Sequence, residues 1–148
     1  MDLPNDLREL LALFNAHGVE YVVAGAHALA YHGAPRYTGD LDLLVGADPD
    51  NARRLMAALS EFGFADVGLT SKDFEFPNQV IQLGRPPVRV DLLTSLTGVT
   101  WEEARDGSES GVCGGVSVRF LGRAQFVANK RAAARKKDLA DLDALGEA

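Results

Sequence analysis

Apolar residues recur along the chain at two different spacings, which together predict a mixture of helices and strands. A first helix is predicted by four apolar residues that fall three or four positions apart: Leu7, Leu10, Leu11 and Phe14. We expect Asn5 or Asp6 to cap the start of this helix and Gly18 to end it. Residues 19–23, Val-Glu-Tyr-Val-Val, are a short segment rich in β-branched valine, so they predict a buried strand that ends at Gly25.

The same two spacings alternate through the middle of the chain. Residues 26–31 predict a short helix that ends near Gly33, and residues 41–45 predict a second strand. A longer helix is predicted to begin at residues 48–50, because Asp-Pro-Asp is a favourable helix start, and to end at Gly63. The buried side of that helix is predicted from its apolar residues: Leu55, Met56, Leu59 and Phe62.

Glycine and proline mark two hairpins in the second half of the chain. Residues 80–83 and 88–93 are largely apolar and flank a Gly-Arg-Pro-Pro turn, which predicts the first hairpin. A weaker hairpin is predicted around Gly114 and Gly115, with residues 116–120 as its second arm.

The tail from Arg123 is alanine-rich and charged, which predicts helix with a break near Lys136. Elements in this order predict an α/β (α+β) fold, in which a small mixed β-sheet carries flanking helices and a C-terminal helical tail. The chain has 148 residues, and we expect residues 1–148 to form a single domain.

Composition limits the setting in which we expect the protein to work. No apolar run approaches the ~20 residues that cross a bilayer, so we expect no membrane partner. The first residues lack the basic-then-apolar pattern of a secretory signal. Cys113 is the single cysteine, so it offers neither an internal disulfide nor a zinc-binding thiolate cluster. These features predict a cytoplasmic protein.

Charge is distributed unevenly along the sequence. The formal net charge of −6 argues against a protein that grips nucleic acid over its whole surface. One stretch nevertheless carries seven basic residues and no acidic ones: Arg119, Arg123, Lys130, Arg131, Arg135, Lys136 and Lys137. This stretch is either a solvated helix face or a local anchor for the phosphates of a triphosphate or an RNA end. The sequence leaves both interpretations open.

Three aspartates on two predicted strands are the main candidates for chemistry. Side chains alternate across a strand, so Asp40 and Asp42 should point to one face, away from Leu41. Two carboxylates held side by side repel each other unless a cation lies between them, and magnesium prefers such oxygen ligands. Asp91 supplies a third carboxylate in the middle of an apolar strand, where propensity alone does not explain it.

Each of these aspartates, taken singly, fits a turn cap or a solvent-facing residue better, whereas the three together favour a metal site. An Asp-x-Asp pair also occurs in haloacid-dehalogenase phosphatases, where it follows an apolar strand. Here the apolar run comes after the pair, and residues 37–39 come before it, which disfavours a phosphatase of that type.

Gly25 joins the first predicted strand to a helix. Glycine allows a sharp turn and a close approach of ligand to backbone, and the free N–H groups of a helix start suit a phosphate. The junction is not a dinucleotide-binding fingerprint, because the further glycines of Gly-x-Gly-x-x-Gly are absent.

Together these motifs resemble the signature of the DNA polymerase beta-like nucleotidyltransferase superfamily. The resemblance rests on an apolar strand, Gly25-Ala26, thirteen intervening residues, and then Asp40-Leu41-Asp42-Leu43. Asp91 matches the third acidic position of that signature. The central block and the helical Lys…Arg…Lys-Asp…Asp pattern of the tail look like small bacterial members, many of which are toxin–antitoxin or abortive-infection nucleotidyltransferases.

The resemblance implies transfer of a nucleoside monophosphate (NMP) from a nucleoside triphosphate to a hydroxyl of RNA, protein or a small molecule. It implies that Mg²⁺ or Mn²⁺ is held by Asp40, Asp42 and Asp91, of which Asp40 and Asp42 bridge two ions and Asp91 holds the one beside the acceptor. The remaining implied roles concern the phosphates. The backbone N–H groups of Gly25 and Ala26 would cradle the β- and γ-phosphates, and Lys130 and Arg36 would balance phosphate charge. Arg36 fits equally well as a residue that pins its loop to the domain.

Ala26 departs from the pattern, because the superfamily often has serine or a second glycine there. Three hypotheses therefore remain. The first is an active nucleotidyltransferase, and the second is a catalytically weak binding protein that acts as an antitoxin or regulatory partner. The third is a metal-dependent phosphodiesterase or nuclease, which comes last because this chain has no well-placed histidine to act as a general base. With little room for an acceptor-binding domain, we expect a toxin or antitoxin partner protein, or a homodimer, to complete the cleft.

Overall fold

Six strands form one mixed β-sheet in the structure, a computed structural model that describes residues 3–65 and 67–147. The strands are β1 (Tyr21–Val23), β2 (Asp40–Val45), β3 (Val80–Arg85), β4 (Val88–Leu93), β5 (Glu109–Cys113) and β6 (Val116–Phe120). Their order across the sheet is β3-β4-β2-β1-β6-β5. Both predicted hairpins are confirmed, since β3 pairs with β4 and β5 pairs with β6 in antiparallel fashion.

Six α-helices accompany the sheet in the described residues. They are α1 (Asn5–Ala16), α2 (Gly25–Tyr31), α3 (Pro49–Leu59), α4 (Trp101–Asp106), α5 (Arg123–Ala133) and α6 (Lys136–Ala144). A π-helical turn, Ser60–Phe64, extends α3, and a 3-10 turn, Ser71–Phe74, follows it. None of these helices is long and apolar enough to cross a membrane. The mixed sheet with flanking helices confirms the predicted α/β fold class.

The helix patterns were largely correct, and their ends show two differences. The predicted apolar stripe of α1 is buried, but Pro4 precedes the helix without a side-chain cap and Asn5 is already helical. Proline fits this position because its fixed φ suits a helix entry and it lacks an N–H. The predicted Asp48 cap of α3 is confirmed, since its carboxylate accepts a hydrogen bond from the Asn51 N–H. Phe62 lies beyond α3, in the π-helical turn.

The pairing of β2 with β4 determines where the predicted site lies. The two strands are parallel neighbours, and their register sets Asp40 opposite Arg89 and Asp42 opposite Asp91. Directly paired residues point to the same face of a sheet. The alternate positions of β2 include Leu41 and Leu43, which are both fully buried in the core. The sheet therefore buries one face of β2 and presents the acidic residues on the other.

The C-terminal tail forms two helices, as predicted, with the break one residue earlier than Lys136. Ala134 ends α5 in a left-handed conformation with φ 53°, and Arg135 precedes α6 in an extended conformation. The break lets α6 fold back against α5, and this packing buries Lys130, Asp138 and Asp141.

Candidate active site

Asp42 and Asp91 are the centre of the candidate site. They occupy directly paired positions on β2 and β4, and after burial the charge of Asp91 is the next largest cause that raises the pKa of the Asp42 carboxyl. Asp91 is buried, and Asp40 and Asp42 are partly exposed. The structure therefore places the carboxylates of both strands on one face of the sheet, which the alternation of residues had predicted for Asp40 and Asp42.

Gly25 lies directly against the Asp42 carboxylate. Its backbone has φ +60°, and a Cβ built at this position would collide with the carboxylate of Asp42. The adjoining Ala24 N–H donates a hydrogen bond of 2.9 Å to the Asp42 carbonyl oxygen, which holds the start of α2 against β2. Glycine is thus required here both for the turn and for the close approach of an acidic side chain.

The environment of Asp42 disfavours its negative charge. Burial is the main cause, and together with the charges of Asp91 and Asp40 it raises the pKa of the Asp42 carboxyl from 3.8 to about 6. The ammonium group of Lys137 opposes these effects. A carboxylate held in this way gains from a cation placed nearby.

Arg89 supplies the cation that the structure shows. Its Nε lies 2.9 Å from Asp91 Oδ1 and 3.3 Å from Asp40 Oδ1, and its Nη2 donates to Asp91 Oδ2 at 3.1 Å. The guanidinium group therefore bridges the carboxylates of Asp40 and Asp91. Sequence reasoning missed this residue, although an Arg-x-Asp spacing on a strand places both side chains on one face.

The three carboxylates fit a divalent cation by the chemistry of their donor atoms. In the part of the chain that the structure describes, no three His, Cys, Asp or Glu side chains already form a metal-binding cluster. At the predicted site, the guanidinium group of Arg89 contacts the carboxylates of both Asp40 and Asp91. Mg²⁺ and Mn²⁺ nevertheless suit these residues, because both ions prefer oxygen ligands and Asp42 lies where a cation would relieve repulsion.

Lys130 and Arg36 lie together in a separate ionic cluster. Lys130 is buried, and its Nζ lies 3.1 Å from Asp138 Oδ1 and 3.2 Å from Asp141 Oδ2. Arg36 donates two hydrogen bonds to the Asp141 carboxylate, at 3.0 and 3.3 Å. The loop that leads into β2 is therefore tied to α6, which is the pinning role expected of Arg36 as the alternative to phosphate binding.

Two basic residues at the start of α6 complete the surroundings of the site. Arg135 pairs with Asp138, three residues later, with Nε 2.7 Å from Oδ2. Lys137 is exposed, and the charge of its ammonium group lowers the pKa of the Asp42 carboxyl. It stands four residues before Asp141 and so shares the helix face that Asp141 turns toward Arg36. Lys137 was not among the predicted site residues.

A cleft of about 460 Å³ opens beside Asp40. Its walls include the apolar Leu7 and Pro87 and the polar side chains of His27 and Thr38. Tyr37 also lines it and is 86% exposed. Of the three aspartates, Asp40 is the one that lines the cleft, so a molecule bound in it would lie next to the Asp40 carboxylate.

Comparisons with known proteins support the fold. No protein-family model and no curated protein matches the chain. A candidate nucleotidyltransferase (TM1012) from Thermotoga maritima aligns with a TM-score of 0.61 at 17% identity, over 96% of this chain and 91% of that one. ANT(2")-Ia, solved in complex with adenylyl-2"-tobramycin, aligns with a TM-score of 0.55 at 14% identity, over 94% of this chain and 84% of that one. The chain therefore has a nucleotidyltransferase fold.

Proposed function

We propose that the protein is a metal-dependent nucleotidyltransferase that transfers an NMP from a nucleoside triphosphate to a hydroxyl group. The observation that carries this proposal is the juxtaposition of Asp42 with Asp91, against Gly25, in a nucleotidyltransferase fold. Aspartates that face each other on adjacent strands with little exposure are costly to the fold, so their presence at a glycine turn favours a functional role.

The acidic residues would hold the cation. Asp40, Asp42 and Asp91 are the proposed ligands of Mg²⁺ or Mn²⁺, with Asp91 on the side of the acceptor. A divalent ion in such a site supplies electrostatic stabilisation of the attacking and leaving oxygens. In the transfer, the acceptor oxygen forms a bond to the α-phosphorus, the bond to pyrophosphate breaks, and the hydroxyl proton of the acceptor passes to solvent.

The glycine turn and the basic residues would bind the triphosphate. Gly25 and Ala26 begin α2, where backbone N–H groups precede the first helical hydrogen bond, from Ala28 N–H to the Ala24 carbonyl. The Ala26 side chain is buried, so this residue would contribute through its backbone. We assign direct contact with the phosphates to Lys137, because it is exposed near Asp42.

Lys130 and Arg36 would act on the phosphates from a greater distance. Both are engaged with Asp141, so their charges are already partly balanced. Their proposed contribution is to hold α6, and with it Lys137, against the loop that enters β2. This modifies the predicted role of Lys130 from a direct phosphate ligand to a positioning residue.

The acceptor and biological setting follow from the sequence resemblance. We propose an RNA, protein or small-molecule acceptor and a role within a toxin–antitoxin system, with a partner protein or a second copy of the chain completing the cleft beside Asp40. The net charge of −6 favours an acceptor held locally rather than along an extended polyanion.

Transfer assays with labelled nucleotides test the proposal. Each of the four NTPs is incubated with Mg²⁺ or Mn²⁺ and the protein, with and without total RNA and candidate protein acceptors. Since losing an outer-shell partner of a metal alone costs roughly 10–100-fold, Asp42→Asn should reduce transfer by more than about 100-fold. Asp106→Asn is the matched control, because Asp106 is exposed and pairs with Arg105. Transfer that persists in Asp42→Asn would refute the proposed site.

The buried alanine at position 26 favours the second candidate, a binding protein with weak or no catalysis. That function predicts tight binding of a partner, such as the product of an adjacent gene, that survives Asp40→Ala and Asp42→Ala. Calorimetry with the purified partner would measure it. RNA shortening in the absence of any NTP would instead indicate the third candidate, a phosphodiesterase.

A further inference from the structure

We infer that Arg89 is an internal counter-ion that competes with a divalent cation for Asp40 and Asp91. This inference rests on the proposed function only in taking the three aspartates as cation ligands. It goes beyond that function by assigning to Arg89 control over how tightly the site binds metal.

The strand register explains why Arg89 reaches both carboxylates. It stands two residues before Asp91 on β4 and directly opposite Asp40 on β2, so the three side chains share one face of the sheet. Its planar fork matches both oxygens of Asp91, at 2.9 and 3.1 Å, and its Nε also approaches Asp40 at 3.3 Å. Such bidentate pairs are the stronger kind of charge-assisted hydrogen bond.

The guanidinium group of Arg89 contacts carboxylate oxygens of Asp40 and Asp91 that a shared cation would also bind. A cation bridging Asp40 and Asp91 would have to share their oxygens with a positive group, and the two positive charges would repel each other. The side chain of Arg89 is 26% exposed, so the guanidinium group can move toward solvent when another cation binds the carboxylates. The pair therefore keeps the carboxylates aligned at the expense of metal affinity.

A titration with Mn²⁺ alone tests the competition. Manganese binding is measured by calorimetry and by electron paramagnetic resonance for the wild type, Arg89→Gln and Arg85→Gln. Because the cation no longer has to displace the charge-assisted hydrogen bonds of the guanidinium group, Arg89→Gln should bind Mn²⁺ roughly tenfold more tightly or better. Arg85→Gln removes the same charge from an exposed position on the same hairpin, and its affinity should stay within about twofold of the wild type.

Thermal unfolding gives an independent readout that does not depend on catalysis. Metal-free Arg89→Gln should melt at a lower temperature than wild type, because the carboxylates of Asp40 and Asp91 are left without their counter-ion. Added Mn²⁺ should raise its Tm more than that of wild type, since stabilisation grows with affinity. Arg89→Lys, which keeps the charge but not the fork, should fall between the two.

The outcomes separate this inference from the proposed function. Equal or weaker Mn²⁺ binding by Arg89→Gln would overturn the inference, as would a Tm that does not fall without metal. Tighter binding in a protein that transfers no nucleotide would uphold the inference and count against the enzyme. Normal transfer with no change in metal affinity would support the proposed function and overturn the inference.

Discussion

Asp42 and Asp91 face each other across parallel neighbouring strands, and the partly buried carboxyl of Asp42 keeps its proton to higher pH than a free aspartate. Burial is the largest cause, followed by the charges of Asp91 and Asp40, and together they raise the pKa to about 6. In the unfolded chain the same group ionises near its ordinary value of 3.8. Folding is therefore linked to the protonation of this one residue.

We expect the metal-free protein to lose part of its stability as the pH rises from about 4 to above 6. Between these values the folded state retains a proton that the unfolded state has released, so the free energy of unfolding falls as pH increases. A shift of this size corresponds to a loss on the order of 2–3 kcal/mol. Urea unfolding in the presence of a chelator, repeated across this pH range, measures it.

The Asp42→Asn variant isolates this effect from other titrating groups. Burial lowers the pKa of His27, which acts in the opposite direction over part of the same range. His27 is present in both wild type and Asp42→Asn, so its contribution cancels when the two proteins are compared. Asp42→Asn should be the more stable of the two above pH 6. Parallel pH profiles for the two proteins would contradict the linkage.

Gly25→Ala should destabilise the protein more than Gly18→Ala. Both glycines have similar positive φ, +60° and +68°, so alanine carries a similar backbone strain of roughly 1–2 kcal/mol at each position. A Cβ at position 18 would make an ordinary contact, whereas one at position 25 would collide with Asp42. Overpacking of this kind costs about 1–3 kcal/mol more. Chemical unfolding of the two variants measures the difference, and equal losses would show that Asp42 moves aside freely.

Lys130→Met should be strongly destabilising even though methionine fits an apolar setting. It removes the ammonium group that the buried Asp138 and Asp141 share and leaves them only the guanidinium groups of Arg135 and Arg36. The loss should therefore lie near the lower end of the roughly 3–5 kcal/mol that breaking a buried ion pair costs. Arg131→Met on the next position of α5 removes a largely exposed charge and should cost less than about 1 kcal/mol. Urea unfolding compares them. If Lys130→Met lowers the free energy of unfolding no more than Arg131→Met does, the cluster of Lys130, Asp138 and Asp141 does not anchor α6.

Lys137→Gln should weaken nucleotide binding while leaving the fold intact. If its ammonium group contacts phosphate, losing one charge-assisted contact should raise the KM for NTP about tenfold or more. Lys136→Gln changes a neighbouring exposed lysine that points about 100° around the helix, and it should leave KM nearly unchanged. Circular dichroism checks the fold of both variants. The same KM for both would show that Lys137 does not contact the nucleotide.

Local patterns were sufficient to predict most elements and the face of the acidic residues. Alternation along β2 separated Asp40 and Asp42 from Leu41, and the same alternation holds in the structure. Turn residues located both hairpins, and in the second one Gly114 and Gly115 have the positive φ that glycine favours. The capping residue of α1 was predicted wrongly, because propensity favoured Asn5 while Pro4 occupies the position before the helix.

Long-range pairings were harder to predict. The neighbourhood of β2 and β4, and with it the contact of Arg89 with Asp40, depends on strand order rather than on local sequence. Lys130 was predicted as a phosphate ligand because charge alone does not reveal a partner. Its aspartates lie on α6, which faces it only because the chain turns at Ala134.

The tie between Arg36 and Asp141 spans 105 positions in sequence and closes the loop that enters β2. During synthesis the loop therefore emerges well before the helix that holds it. A nascent chain that already contains Asp40 and Asp42 still lacks the support of α6 for the rim of its site. The rim of the site should therefore be completed only after α6 has been made, which would delay any activity until then.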